Sequence, residues 1–271
     1  MNFLMATGLL VFWLIQGSYC GVWQNKDYLA ANLDEYYSSL LKIPPLRETA
    51  VRFAKYFLGR EIDINKHARR PRSDDFLERK RIDTVLIIDS SESVKRVNFK
   101  LGLRALQTMV ERGKPDTNYA AITFSNHAKL EFAFMDKENA KKKLKKIEYR
   151  RGKTNTQEAL MMALNKLIKS NTSNIRVGSI RRIFLITDGL SNVKRHKTLM
   201  RGQQLKLAGA EIFVMAVGQY DQGFEEIVGL ASSTLAHLYR VANMKGFLRV
   251  IKLIPRNIEK DWLSGMNIGG L

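Results

Sequence analysis

The chain of 271 residues is almost without cysteine, Cys20 being the one example. Once an N-terminal leader that includes Cys20 is removed, no disulfide framework or thiolate zinc site is possible. Histidine is scarce too, and His67, His127, His196 and His237 are scattered without the spacing of a metal site. Acidic residues are in short supply, with 26 Asp+Glu against 45 Lys+Arg and a net charge of +19. Such an excess repels other cations and attracts polyanions. Beyond the N-terminus no apolar run is long enough to span a bilayer, so no transmembrane segment is expected there. The single apolar stretch comprises Phe3-Leu4-Met5 and Leu9–Ile15, with no charged residue before Lys26. It is too short for a comfortable span and leads into the small, polar residues Gln16 to Gly21. This pattern predicts a signal peptide over 1–20, with Ser18 in the small-residue position and a cut after Cys20. An uncut signal anchor is the alternative. A secreted chain without cysteine must hold by its core alone, and a hydrophobic content of 45% supplies one.

What is present divides into two styles. Residues 21–80 predict a helical N-terminal extension with a basic linker. Asp27 to Leu41 carries Tyr28, Leu29, Leu33, Tyr36, Tyr37, Leu40 and Leu41 at helical spacing, and Pro44-Pro45 ends it. Arg47 to Leu58 predicts a second helix with Val51, Ala54, Phe57 and Leu58 on one face and Gly59 as its stop. His67 to Asp75 is charged and proline-bearing, and Arg69-x-x-Arg72 has the spacing of a processing site or simply belongs to a solvated linker. Over 81–255 strands and helices alternate. Thr84–Ile88, Tyr119–Phe124, Ile183–Thr187, Ile212–Val217 and Leu238–Val241 are predicted strands, with Ala128–Phe134 as an edge strand. Helices are predicted over Val94–Arg112, Glu138–Ile147, Thr156–Ile168, Lys197–Leu207, Phe224–Leu230 and Lys245–Leu253. Near-continuous apolar strands separated by helices imply an α/β, doubly wound, mostly parallel six-stranded sheet flanked by helices. Residues 256–271 form a tail.

The first strand delivers Asp89-Ser90-Ser91-Glu92-Ser93 into the following turn. The fourth strand ends in Asp188-Gly189, and Gly152-Lys153-Thr154-Asn155-Thr156 precedes a helix. In a doubly wound sheet these loops open on the same edge, where ligands bind. Asp89, Ser91, Ser93, Thr154 and Asp188 then make an all-oxygen set, the donors a hard divalent cation such as Mg²⁺ prefers. Each part also has a plainer reading: Ser91 and Ser93 as helix caps, Thr154 as a turn residue, Asp188-Gly189 as a common turn. A phosphate-binding loop would need glycine where Ile147 stands. No Ser/His/Asp or Cys/His arrangement is present, so the chain is not expected to be an enzyme. Lys141, Lys142, Lys143, Lys145 and Lys146, with Arg150, Arg151 and Lys153, offer either a solvated face or a contact for heparan sulfate or acidic matrix. Asn171-Thr172-Ser173 is an N-glycosylation acceptor.

Together the three motifs resemble the von Willebrand factor type A domain and its metal-ion-dependent adhesion site. The resemblance covers about 82–254, including Phe184-Leu185-Ile186-Thr187-Asp188-Gly189 and the run Ala208 to Gly218. It is similar above all to extracellular-matrix members such as matrilins and the collagens that carry this domain. The resemblance implies that Ser91 and Ser93 bind the metal directly, Thr154 when ligand is bound, and Asp89 and Asp188 directly or through water. The cation would be Mg²⁺, with Mn²⁺ or Ca²⁺ as substitutes, and its open position would take a carboxylate from an extracellular protein partner. On this reading the protein is secreted, acts in adhesion and meets no nucleic acid. Two alternatives remain: a basic matrix-structural protein that binds sulfated glycans or acidic matrix, and an intracellular scaffold built on the same domain.

Overall fold

The computed structural model describes residues 35–62, 81–218 and 223–256. The signal peptide, the linker around Arg69–Arg72 and the tail from 257 lie outside the described residues. Two compact units divide at Lys42 and Ile43. In the first, residues 35–41 are helical, the described part of the helix predicted from Asp27, and Tyr36 meets Tyr37 edge-on with ring centres 6.1 Å apart.

The second unit is built on a sheet of β1 (Ile82–Asp89), β2 (Thr117–Phe124), β3 (Ala128–Met135), β4 (Ile180–Thr187), β5 (Ala210–Val217) and β6 (Leu238–Val241). Its order is β3-β2-β1-β4-β5-β6. All neighbours are parallel except β2 and β3, which form an antiparallel hairpin at one edge. The expected fold class is the one observed. Every residue of β1 is buried, as a central strand covered on both faces requires. Each of the five longer strands extends one to three residues beyond its apolar run. Ladder bonds tolerate polar residues at strand ends, so hydrophobicity alone places those ends short.

The helices are α1 (Leu46–Arg52), α2 (Arg96–Arg112), α3 (Lys137–Leu144), α4 (Thr156–Met162), α5 (Thr198–Leu207), α6 (Phe224–Leu230), α7 (Thr234–His237) and α8 (Met244–Leu253). Wider π turns continue α1 over Phe53–Phe57 and α4 over Ala163–Ile168. Three expectations are corrected. The helix expected from Val94 begins at Arg96, because Lys95 takes φ 61° and ψ 147° and breaks the turn. The helix expected to run to Ile147 ends at Leu144. α7 was not expected from the sequence, since four residues are too few to show a period.

A continuous core cluster joins Leu86 and Ile88 of β1 to Phe184, Ile186, Phe213 and Met215, with α2, α8 and α1 packed over them. The buried stripe of α1 and its extension is Ala50, Phe53, Ala54, Phe57 and Leu58. Val51, expected on that face, is 38% exposed. The rings decide the orientation. Phe53 stacks edge-on against Phe184 and Tyr239 at 5.5 and 5.0 Å, and Phe57 against Phe213 at 5.0 Å. Arg52 donates to the carbonyls of Leu235 and Leu238, and Arg182 to that of Phe57. Residues 46–58 are thus part of the core that the sheet builds. On the opposite face α5 approaches so closely that a Cβ at Gly202 would sit 2.7 Å from Leu230.

Candidate functional site

Three loops meet at the carboxyl edge of the sheet: 90–95 after β1, 149–155 before α4, and 188–197 after β4. β1 carries Asp89 as its last, 1% exposed residue. Oδ1 of Asp89 accepts the backbone N–H of Ser91 at 2.9 Å, which folds the loop back over the strand end. Oδ2 accepts the hydroxyl of Thr187 at 2.7 Å. The hydroxyls of Ser91 and Ser93 lie 3.0 Å apart, and Ser93 donates to Oδ1 of Asp188 at 2.8 Å. Two carboxylates and two serine hydroxyls therefore form one connected chain between β1 and β4.

Thr154 is brought to this edge by its backbone. Its N–H donates to Oδ1 of Asn192 at 2.8 Å, and its carbonyl accepts the N–H of Asn192 at 3.0 Å. The same loop is tied to the first one. Glu92 N–H donates to the Gly152 carbonyl at 2.8 Å, Arg150 N–H to Ser90 Oγ at 2.8 Å, and Tyr149 Oη–H to the Ser91 carbonyl at 3.0 Å. Arg151 pairs with Glu92. Gly152 is required here, with φ 126° and so little room that a Cβ would lie 2.8 Å from Asn126 Oδ1. That same oxygen accepts the Lys153 N–H at 2.8 Å and fixes the loop beside the β2–β3 hairpin.

The electrostatics are lopsided. Burial, and then the charge of Asp188, push the Asp89 carboxyl up to about 6, against the hydrogen bonds from Ser91 and Thr187. Burial also raises Asp188, opposed by Ser93. Among the described residues neither carboxylate has a basic ion-pair partner. Two facing carboxylates held without a countercharge favour a cation between them, and neutral hydroxyls complete a hard-oxygen donor set. Among the described residues there is no cluster of three or more His, Cys, Asp and Glu. The oxygens gathered at this edge are those of two carboxylates and two serine hydroxyls.

Of the five residues read from the sequence, Asp89 ends β1 and Ser91, Ser93, Thr154 and Asp188 lie on the three joined loops. Sequence reasoning missed Thr187, Asn192, Tyr149 and Ser90, which orient them. Only Thr187 had a local signal, its place next to Asp188. The basic residues separate into two kinds. Lys141 pairs with Glu111 of α2 at 3.5 Å, Arg150 donates to the His127 carbonyl, and Arg151 is held by Glu92. Lys142, Lys143, Lys145, Lys146 and Lys153 are exposed and have no ion-pair partner among the described residues. Asn171 is exposed in the turn after the π segment, while Ser173 of its acceptor triplet is buried and donates to the Leu167 carbonyl. No helix among the described residues is long and apolar enough to cross a membrane.

Comparison with known proteins bears on the family and the fold. A family model described as von Willebrand factor type A domain matches residues 83–252. Among curated proteins, collagen alpha-1(VI) chain of Mus musculus is 27% identical over 52% of this chain and 14% of its own length. Human vitrin is 33% identical over 40% of this chain and 16% of its own. Matrilin-3 of Gallus gallus is 24% identical over 55% and 34% respectively. The chain thus spans about a third or less of these extracellular-matrix relatives. Among solved structures, proximal thread matrix protein 1 of the mussel byssus superposes with a TM-score of 0.58 at 19% identity, over 64% of this chain and 47% of that one. A second structure of that protein, described as having a zinc-occupied MIDAS motif, gives 0.53 at 23% identity over 65% and 48%. Both likenesses concern the fold.

Proposed function

Because the chain belongs to the von Willebrand factor type A domain family, we propose that it is a secreted matrix protein that binds partner proteins through a divalent cation at the carboxyl edge of its sheet. The observation that carries this reading is the pair Asp89 and Asp188. Both are raised, neither has a basic ion-pair partner among the described residues, and they are linked through Ser91 and Ser93. Asp89, Ser91, Ser93, Thr154 and Asp188 would hold the ion, with Mg²⁺ the natural occupant and Mn²⁺ or Ca²⁺ as substitutes. When bound, the metal supplies a Lewis-acidic position that takes a carboxylate from the partner. The residues of the chain hold their oxygens in place: Thr187 and the Ser91 N–H orient Asp89, and Asn192 fixes the backbone of Thr154. This is recognition, with no catalytic step assigned to any residue. Residues 1–20 direct export, and Asn171 carries a glycan.

A pull-down from extracellular matrix with Mg²⁺, and in parallel with chelator, tests this. Partner capture is expected with Mg²⁺ and lost with chelator or with Asp89→Ala. Capture that survives chelator but disappears in high salt points to the second reading, a basic matrix protein acting through its lysines. The exposed side chains of Lys142, Lys143, Lys145 and Lys146, which have no ion-pair partner among the described residues, support that reading. An uncleaved Met1 and cytosolic residence would instead indicate an intracellular scaffold.

A further inference from the structure

Four non-glycine residues of the described chain have positive φ: Lys95, Arg151, Asn174 and Lys194. Asn174 is the residue type that tolerates this conformation, and it lies away from the site. The other three are long cations, one in each of the three loops that make up the site. Lys95 follows Ser93 and takes φ 61° with ψ 147°, a region essentially reserved for glycine. Arg151 precedes Gly152 with φ 60°, and Lys194 follows the Asn192 that pairs with Thr154, with φ 49° and ψ 43°. Glycine would relieve each of these positions. Lys95 and Lys194 gain nothing locally in return: both are exposed and have no ion-pair partner among the described residues. At Arg151 the charge is answered by Glu92, but strain kept at Lys95 and Lys194 on two loops of one site, each time with a positive charge that has no ion-pair partner among the described residues, indicates that the charge itself is used.

Arg150, Lys153 and Arg195 extend this collar on the second and third loops, and all three are exposed. Back along the chain, beyond Arg150, Arg151 and the exposed Glu148, Lys142, Lys143, Lys145 and Lys146 at the end of α3 are exposed with no ion-pair partner among the described residues. A single carboxylate at a metal would use none of this second charge layer. We propose that the partner bound across this face is an extended polyanion, a sulfated, uronate-bearing glycan strand. One uronate carboxylate takes the metal position, and flanking sulfates lie on the collar around Lys95, Arg151 and Lys194. This rests on the metal-dependent reading for the carboxylate, and on the collar alone for the sulfates. A glycan is favoured over an acidic protein segment because basic residues recur from the site rim to the end of α3. A strand that carries charge at every repeat can follow that track.

The test uses the full secreted chain and a heparin octasaccharide, with carboxyl-reduced heparin and a poly-glutamate peptide as comparison probes, each titrated with Mg²⁺ and with chelator. Lys95→Gly/Lys194→Gly is the principal variant. It is expected to match or exceed the parent in thermal stability, so loss of binding is not loss of fold. Octasaccharide affinity is expected to fall about tenfold in this variant. It should also weaken in chelator for native heparin, while carboxyl-reduced heparin binds equally with and without Mg²⁺. Unchanged octasaccharide binding in the variant overturns the proposal, even if matrix capture stays chelator-sensitive and the metal reading survives. Collar-dependent binding that ignores chelator for every probe supports the collar and sinks the metal reading. Collar-dependent binding of poly-glutamate without binding of heparin overturns the glycan in favour of an acidic protein segment.

Discussion

The two ends of β1 hold the same residue under opposite conditions. Asp83, at the amino end, is fully buried and closed by the protein's own groups. Its Oδ1 accepts Arg176 Nε–H at 2.8 Å, and its Oδ2 accepts the Arg176 N–H at 2.8 Å and the Ser179 hydroxyl at 2.6 Å. Arg176 also donates to the carbonyls of Ile82 and Asp116. Asp89, at the carboxyl end, is as deeply buried, yet it meets hydroxyls, an N–H and a second carboxylate, with no basic partner among the described residues. A buried charge that is fully paired holds loops in place. One left without a countercharge costs stability and is retained where something from outside supplies the charge. One strand thus carries a paired carboxylate at one end and, at the other, one with no basic partner among the described residues.

The strongest way to break this contrast is Arg176→Met. It strands the Asp83 charge in the core, and urea denaturation at neutral pH should show a loss of about 3–5 kcal/mol. Asp89→Asn should act with the opposite sign. In metal-free protein it should raise stability at pH 7 by about 2 kcal/mol and abolish any stabilisation by Mg²⁺, both readable in thermal melts. A stability loss comparable to that of Arg176→Met would make Asp89 as structural as Asp83.

The pH profile sharpens the comparison. The folded Asp89 carboxyl is raised from 3.8 to about 6. Below pH 4 it is protonated in both states and the favourable difference is fully present. As pH rises from about 4 to 6 the unfolded chain ionises first, and the metal-free protein loses up to about 3 kcal/mol. Metal affinity should run the other way, complete above about pH 6 and falling about tenfold per unit below it, because the ion displaces the proton. The smallest effect concerns Glu226, buried beside the Ser191 N–H, with Arg195 at 3.6 Å. Burial raises it from 4.5 to about 7. Its stabilising difference is present below 4.5 and lost by about 7, so Glu226→Gln should flatten that stretch of the stability profile by about 1 kcal/mol.

The fold was readable because its signals are local. The Val85 to Ile88 run, the 3.6-residue spacing of Phe99, Leu103, Leu106 and Val110, and the placement of polar residues directly behind strands all lie within short windows. Asp89, Ser91 and Ser93 were legible for the same reason, and Asp188 because a strand ends there. Asp83 was not, since its partner Arg176 is ninety-three residues away. Phe53 was passed over in favour of Val51, because the choice of face depended on the rings of Phe184, Phe213 and Tyr239 that wait on the sheet. The basic run at Lys141–Lys146 is visible as a block, whereas Lys95, beside Arg96, and Lys194, opening Lys194-Arg195-His196-Lys197, sit in shorter basic stretches whose place beside the site comes only from loop contacts.

The sequence by itself determined a cationic α/β chain with a single cysteine and with oxygen donors behind two strands and before a helix, because periodicity and strand-end chemistry are written residue by residue. The tertiary structure decided which of the buried charges are already answered within the protein. It also decided which loops share one rim and which cations are held there against their backbone preference. Those are matters of distance between segments, and distance in the fold is set by packing rather than by order along the chain.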